Sequence, residues 1–181
     1  MAVQIGAKPD CGFDDPIGML KDCHRRIERF LQVLVVVVDR AAGRSLTAEE
    51  RSAVLSAMSY FQQGGRRHTA DEEESLFPRL RTKLRAEISA GDFDQIEHLE
   101  DDHRLADHLH ETVDALYSSW IAADRLNPEE EITLRSATGE MKRLYEAHIQ
   151  IEEQIVFPRA AKGLDGESIA AIGEEIRRRR E

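Results

Sequence analysis

The sequence predicts an all-α protein, an antiparallel up-down four-helix bundle with a short extra helix at its C-terminal end. Three observations predict it. Charged residues make up 33% of the 181-residue chain and aromatics 6%, with only 11 Gly and 5 Pro, a profile that suits helices better than sheets. Four long segments are bounded by helix start and stop signals and joined by short links. Each of the four also carries an apolar stripe at helical spacing.

The first helix is read over 16–42, with Asp15 as its cap, Pro16 at the first helical position and Gly43 as its stop. Thr47 and Glu50 form a capping box that opens the second helix, read over 48–76. That helix should end by Phe77, because Pro78 follows. A short helix is expected at 80–90. After the Gly91 break, Asp92-Phe93-Asp94-Gln95 has capping-box form and opens the third helix, over 93–125. Asn127, Pro128 and Glu130 open the fourth, over 128–156, and Pro158 should close it as Pro78 closes the second. A last helix runs from Asp165. The expected organisation is one domain over 1–181, with the bundle at about 14–160 and an extension over 161–181.

Each apolar stripe is interrupted. On the first helix it reads Leu20, His24, Ile27, Leu31, Leu34, Val38, and on the second Val54, Met58, Phe61, Gly65, His68, Glu72, Leu76. On the third, His103 and His110 fall among Ile96, Leu99, Ala106, Val113, Tyr117 and Trp120. On the fourth, His148 and Glu152 lie among Leu134, Ala137, Met141, Leu144 and Ile155. Histidine enters every stripe, and glutamate enters two.

The totals exclude several classes. A formal charge of −10 argues against a nucleic-acid or anionic-membrane binder, which needs a basic face. The Arg177–Arg180 run is the local exception, read as a cationic last turn complementing a helix dipole. Met1 to Gly12 has no secretory pattern, and Leu31 to Val38 is too short to span a bilayer. Cys11 and Cys23 form neither a disulfide framework nor a redox motif. A cytoplasmic location is expected.

The segments HTADEEESLFPR (68–79) and HIQIEEQIVFPR (148–159) repeat one phrase. Counted from the end of an up-down bundle where Asp15, Phe77, Phe93 and Phe157 lie, six residues fall at one depth. They are His24, His68, Glu72, His103, His148 and Glu152, all roughly 8–15 Å inside at ~1.5 Å per residue. A lone HxxxE pair is a common surface feature; two in equivalent positions, with a histidine at matching depth on each remaining helix, are not. His and Glu at i, i+4 share a helix face. Four buried imidazoles and two buried carboxylates would be expensive without a partner, and a metal removes that cost. An N/O donor set without thiolate matches a pair of first-row ions bridged by the glutamates, iron first among them, and disfavours structural zinc.

The chain resembles the hemerythrin family, specifically its bacterial HHE cation-binding domains. The matching segments are DPIGMLKDCHRRIERF around His24, HTADEEESLFPRL from His68, EDDHRLADHLH around His103 and HIQIEEQIVFPRA from His148. The resemblance implies a non-haem di-iron site, oxo- or hydroxo-bridged, with the four histidines as terminal ligands and Glu72 and Glu152 bridging. The chain departs from the oxygen-carrying members in two places. Those have HxxxH on the third helix, where His103 is followed by Asp107, and HxxxxD on the fourth, where this chain has HxxxE. The missing position could be filled by Asp107, by water or by His110, although His110 lies ~10 Å deeper. His98 and His108 fall off the stripe and read as surface.

Smaller features carry single expectations. Glu28 could orient a ligand or form a surface pair; Gly64-Gly65 could allow close helix approach or mark a kink. Cys23 points away from the His24 direction, and Tyr60 and Tyr145 could border a small-molecule pocket. Three functional classes follow. The first is O₂ binding or oxygen and iron sensing; the second is a di-iron enzyme acting on peroxide, NO or O₂; the third is a bundle stapled by its metal. The absence of an obvious acid–base group or substrate channel weighs against the enzyme. No nucleic-acid or membrane partner is implied.

Overall fold

The computed structural model describes residues 11–41, 43–87 and 91–181, with side chains described for all of these except 84–87 and 91–94. Every regular element among the described residues is helical. Helix α1 spans Pro16–Ala41, and the Asp15 carboxylate accepts from the Gly18 backbone N–H at 2.9 Å, as a cap should. Gly43 then turns the chain at φ 72°, a conformation glycine adopts without penalty.

Helix α2 (Ala48–Tyr60) opens on the predicted capping box, in which the Thr47 side chain and Glu50 satisfy each other's backbone N–H groups. The rod that α2 opens does not end at Phe77. The rod continues through a π turn (Phe61–Gly65), α3 (Arg66–Asp71), a second π turn (Glu72–Leu76) and α4 (Phe77–Glu87). Helix α5 covers Gly91–Ala123; the capping box predicted at 92–95 lies largely outside the described side chains. Asn127 caps α6 (Pro128–Ile151), which runs through a third π turn (Glu152–Val156) into α7 (Phe157–Gly163). Asp165 caps α8 (Gly166–Arg178) by accepting from the Ser168 N–H.

The correction at both prolines has one cause. Proline lacks an N–H, and its ring clashes with the carbonyl one turn back in a regular α-helix. Here Phe77 bonds back to the Glu72 carbonyl and Phe157 to the Glu152 carbonyl, opening the ladder by one residue just before each proline. Arg79 then donates to the Ser75 carbonyl at 2.9 Å. The extra residue also shifts the fourth stripe: Val156 is buried, whereas Ile155, predicted inside, is half-buried.

Four rods pack in the cyclic order α1, α2, α5, α6, each against its two neighbours. At the far end Trp120 donates to the Arg44 carbonyl at 3.0 Å, and Ser45 to Asp124 at 2.7 Å, which joins the first and third links. The apolar core is divided in two. One cluster runs from Ile27 and Phe61 down to Trp120 and Leu134; the other gathers Leu20, Leu76, Phe77, Leu99 and Phe157 near the opposite end. His24 lies between Leu20 and Ile27 in sequence and His68 between Phe61 and Leu76, so a polar layer separates the two clusters.

The C-terminal helix does more than the predicted dipole pairing. Gly173 of α8 lies so close to the Phe13 carbonyl that a Cβ there would meet its oxygen at 2.0 Å. Arg179 and Arg180 reach the fully buried Asp71 at 3.0 and 2.6 Å. Arg79 forks onto Glu175. No helix among the described residues is long and apolar enough to cross a membrane.

Candidate metal centre

The structure brings all six predicted residues into the polar layer, and each is buried, Glu72 and Glu152 completely. They fall into two groups whose donor atoms lie within 4.8 Å of one another: His24, His68, Glu72 and Glu152, and Glu72, His103, His148 and Glu152. Both carboxylates belong to both groups.

The distances show how the groups interlock. His68 Nε2 stands 3.2 Å and His24 Nε2 3.9 Å from Glu72 Oε1, while His103 Nε2 is 3.4 Å from Glu72 Oε2. Glu152 Oε2 lies 3.0 Å from His24 Nε2 and 3.4 Å from His148 Nε2. These approaches lack hydrogen-bond geometry: all four carboxylate oxygens and the Nε2 atoms of His24, His103 and His148 are buried with no hydrogen-bond partner, as is His68 Nδ1. So many unsatisfied buried polar atoms would be heavily penalised in a metal-free core. Atoms crowded together without bonding one another are arranged as ligands around a third body, and the donor set suits first-row divalent ions.

The outward face of the imidazoles is tied down by acids the sequence reading passed over. Glu73 stands 2.8 Å from His103 Nδ1, Glu153 2.9 Å from His24 Nδ1, and Asp102 3.3 Å from His148 Nδ1. A carboxylate on Nδ1 fixes the ring so that Nε2 faces inward. The doubled glutamate of each repeated phrase now has a division of labour. The first enters the centre, and the second holds the histidine of a neighbouring helix. The phenylalanine of each phrase serves that same histidine: Phe77 stacks on His103 at 6.2 Å and Phe157 on His24 at 5.3 Å. Adjacent acids at 72–73, 101–102 and 152–153 were the available signal. Replacing Glu73 or Glu153 with glutamine should lower metal affinity by about 10–100-fold, measured by competition with a chelator.

Charge is distributed unevenly. Burial pulls the His103 and His148 pKa values down, but Glu72, Glu73, Glu152 and Asp102 outweigh it, bringing them to about 10 and about 9. His24 is likewise raised, by Glu152 and Glu72 against burial. His68, where burial dominates, falls to about 4. Burial pushes the Glu72 and Glu152 values up, yet the surrounding imidazoles hold both below the usual carboxylate range. The carboxylates thus favour the protonated form at His24, His103 and His148, and burial the neutral form at His68.

The remaining candidates sort as follows. Asp107 is exposed and belongs to neither group, and His110 Nε2 pairs with the Tyr145 hydroxyl at 3.0 Å, so neither enters the layer. Glu28 is exposed, as are His98 and His108. Tyr60 packs on Phe30 and donates to the Cys23 carbonyl, leaving Tyr145 as the tyrosine that borders a cavity. Gly64 lies in the first π turn, where a Cβ would meet the Tyr60 ring at 2.8 Å.

Comparison with known proteins agrees with this geometry. An uncharacterized protein of Haemophilus influenzae is 26% identical over 172 residues, covering 93% of this chain and 92% of that protein. The Hemerythrin HHE cation binding domain matches residues 15–160, a span that holds every residue of the layer, and the chain accordingly belongs to the hemerythrin HHE cation-binding family.

Proposed function

We propose that the layer holds two iron ions and that the protein binds O₂ reversibly or senses oxygen or iron through them. The sharing of Glu72 and Glu152 between two histidine pairs carries the reading. His24 and His68 would hold one ion and His103 and His148 the other, with both carboxylates common to the two. Bound iron would supply a redox-active Lewis acid open to a small neutral ligand. The protein's part is to orient the imidazoles through Glu73, Glu153 and Asp102 and to keep the layer between two apolar clusters.

A second reading is an enzyme acting on peroxide, NO or O₂. It gains from a cavity of about 330 Å³ whose lining includes His103, His110 and Tyr145, which the sequence did not disclose. Metal analysis with an optical spectrum of protein produced on iron tests both. Two irons per chain, with absorption that changes reversibly on O₂ exposure, supports binding or sensing. Turnover of peroxide or NO that is lost in a folded His68→Ala variant supports the enzyme. Recovery of zinc alone at one equivalent would overturn the di-iron proposal.

A further inference from the structure

The cavity beside His103 lies between the second rod and α5 and is open to solvent. Two features of its wall bear on what it accepts.

The first is a count of protons. His110 and Tyr145 face each other at 3.0 Å, and His110 Nδ1 is buried with no partner. Burial and then Arg66 lower the His110 pKa to about 4, so the ring is neutral at pH 7. A phenol keeps its proton at pH 7. The pair therefore owns two protons, one N–H and one O–H, and uses one in the bond between them. If the phenol donates to Nε2, the ring proton sits on Nδ1; if Nε2 donates, the phenol proton is left over. One donor remains in either tautomer, at a cavity whose wall also contains His103.

The second feature is charge. Among the described residues the lining has five carboxylates and one guanidinium, that of Arg66. Glu73 is committed to His103, and Gln62 donates to Asp114 at 3.1 Å. Asp107 and Glu111 line the cavity and are exposed. A small anion entering here meets a repulsive field, whereas a neutral molecule does not.

Building on the proposed di-iron reading, we infer that this cavity is the chamber for the exogenous ligand, that the His110–Tyr145 pair hydrogen-bonds it, and that the acidic wall selects neutral acceptors over anions. The test uses the iron-loaded full chain, titrated optically with nitric oxide and with azide at low ionic strength. Asp107→Asn/Glu111→Gln should strengthen azide binding about fivefold, change nitric oxide binding less than about twofold, and lose its effect in ~0.5 M salt. Tyr145→Phe and His110→Leu each leave one donor proton and should each weaken nitric oxide binding only slightly. The double variant leaves none and should weaken it about fivefold, the value of one hydrogen bond, with iron content unchanged. Non-additivity of that kind is not expected of residues that merely pack. Azide affinity indifferent to the acids, together with a double variant no worse than the singles, would overturn the inference while leaving the di-iron reading standing. A wild-type centre that holds iron but binds neither probe would overturn both.

Discussion

Under the proposed two-ion reading, Glu72→Gln should strip both metal ions from the protein, whereas His68→Ala should leave one behind. The difference follows from which groups each residue serves. Glu72 contributes an oxygen to both clusters of donors, 3.2 Å from His68 on one side and 3.4 Å from His103 on the other. His68 belongs to one cluster only. Removing one partner from a buried set of charges costs about 3–5 kcal/mol, and each ~1.4 kcal/mol is tenfold in affinity. Glutamine keeps the shape of Glu72 but not its charge, so both sites should weaken by about 10²–10⁴-fold. Elemental analysis after dialysis, with a thermal melt to check folding, reads the result. If Glu72→Gln retained as much metal as His68→Ala, the shared-carboxylate arrangement would be wrong.

Without metal, the protein should lose stability steadily as pH rises from about 6.5 to 10, while the loaded protein should change far less. An unfolded histidine titrates near ~6.5, but His148 and His103 in the folded layer reach about 9 and about 10. A folded pKa above the unfolded one means the native state binds that proton more tightly. Its contribution is complete below pH ~6.5 and disappears as pH climbs through the folded values. The two imidazoles share carboxylates, so their effects do not simply add. A loss on the order of 3 kcal/mol is expected, or roughly 6–12 °C in melting temperature for a chain of this size. On the acid side, the lowered values of Glu72, Glu152 and His68 all favour the native state less as pH falls. In the loaded protein the metal replaces the imidazole protons, which removes the alkaline loss. Cys23 is common to both forms and drops out of the difference. Thermal melts at pH 6, 8 and 10, with chelator and with iron, provide the check; a flat metal-free profile over that range would refute it.

Much of this was legible in the chain itself, and the division has physical reasons. Caps are local chemistry, so Asp15, Thr47, Asn127 and Asp165 announced their helices. Depth along a rod is simple arithmetic, so the six residues of the layer could be placed together. The π turns were not legible, because a one-residue widening leaves the composition unchanged and each following proline reads as a stop. Glu73, Glu153 and Asp102 were missed for a different cause. Each sits beside a layer residue in sequence but serves a histidine on another helix, and which helix it reaches depends on the cyclic order of the rods. The Arg179 and Arg180 contacts to Asp71 were hidden likewise, since nothing local says where the last turn lands.

That last contact ties the centre to residues beyond the family match. The family match ends at residue 160, and α8 begins at Gly166. Asp71, which carries no solvent exposure, directly precedes Glu72 and draws both of its guanidinium partners from beyond that boundary. A protein trimmed to the matched segment would place an uncompensated anion next to a carboxylate shared by both donor groups. The extension therefore supplies the cations that face the residue beside Glu72, and trimming it should weaken metal binding relative to the full chain.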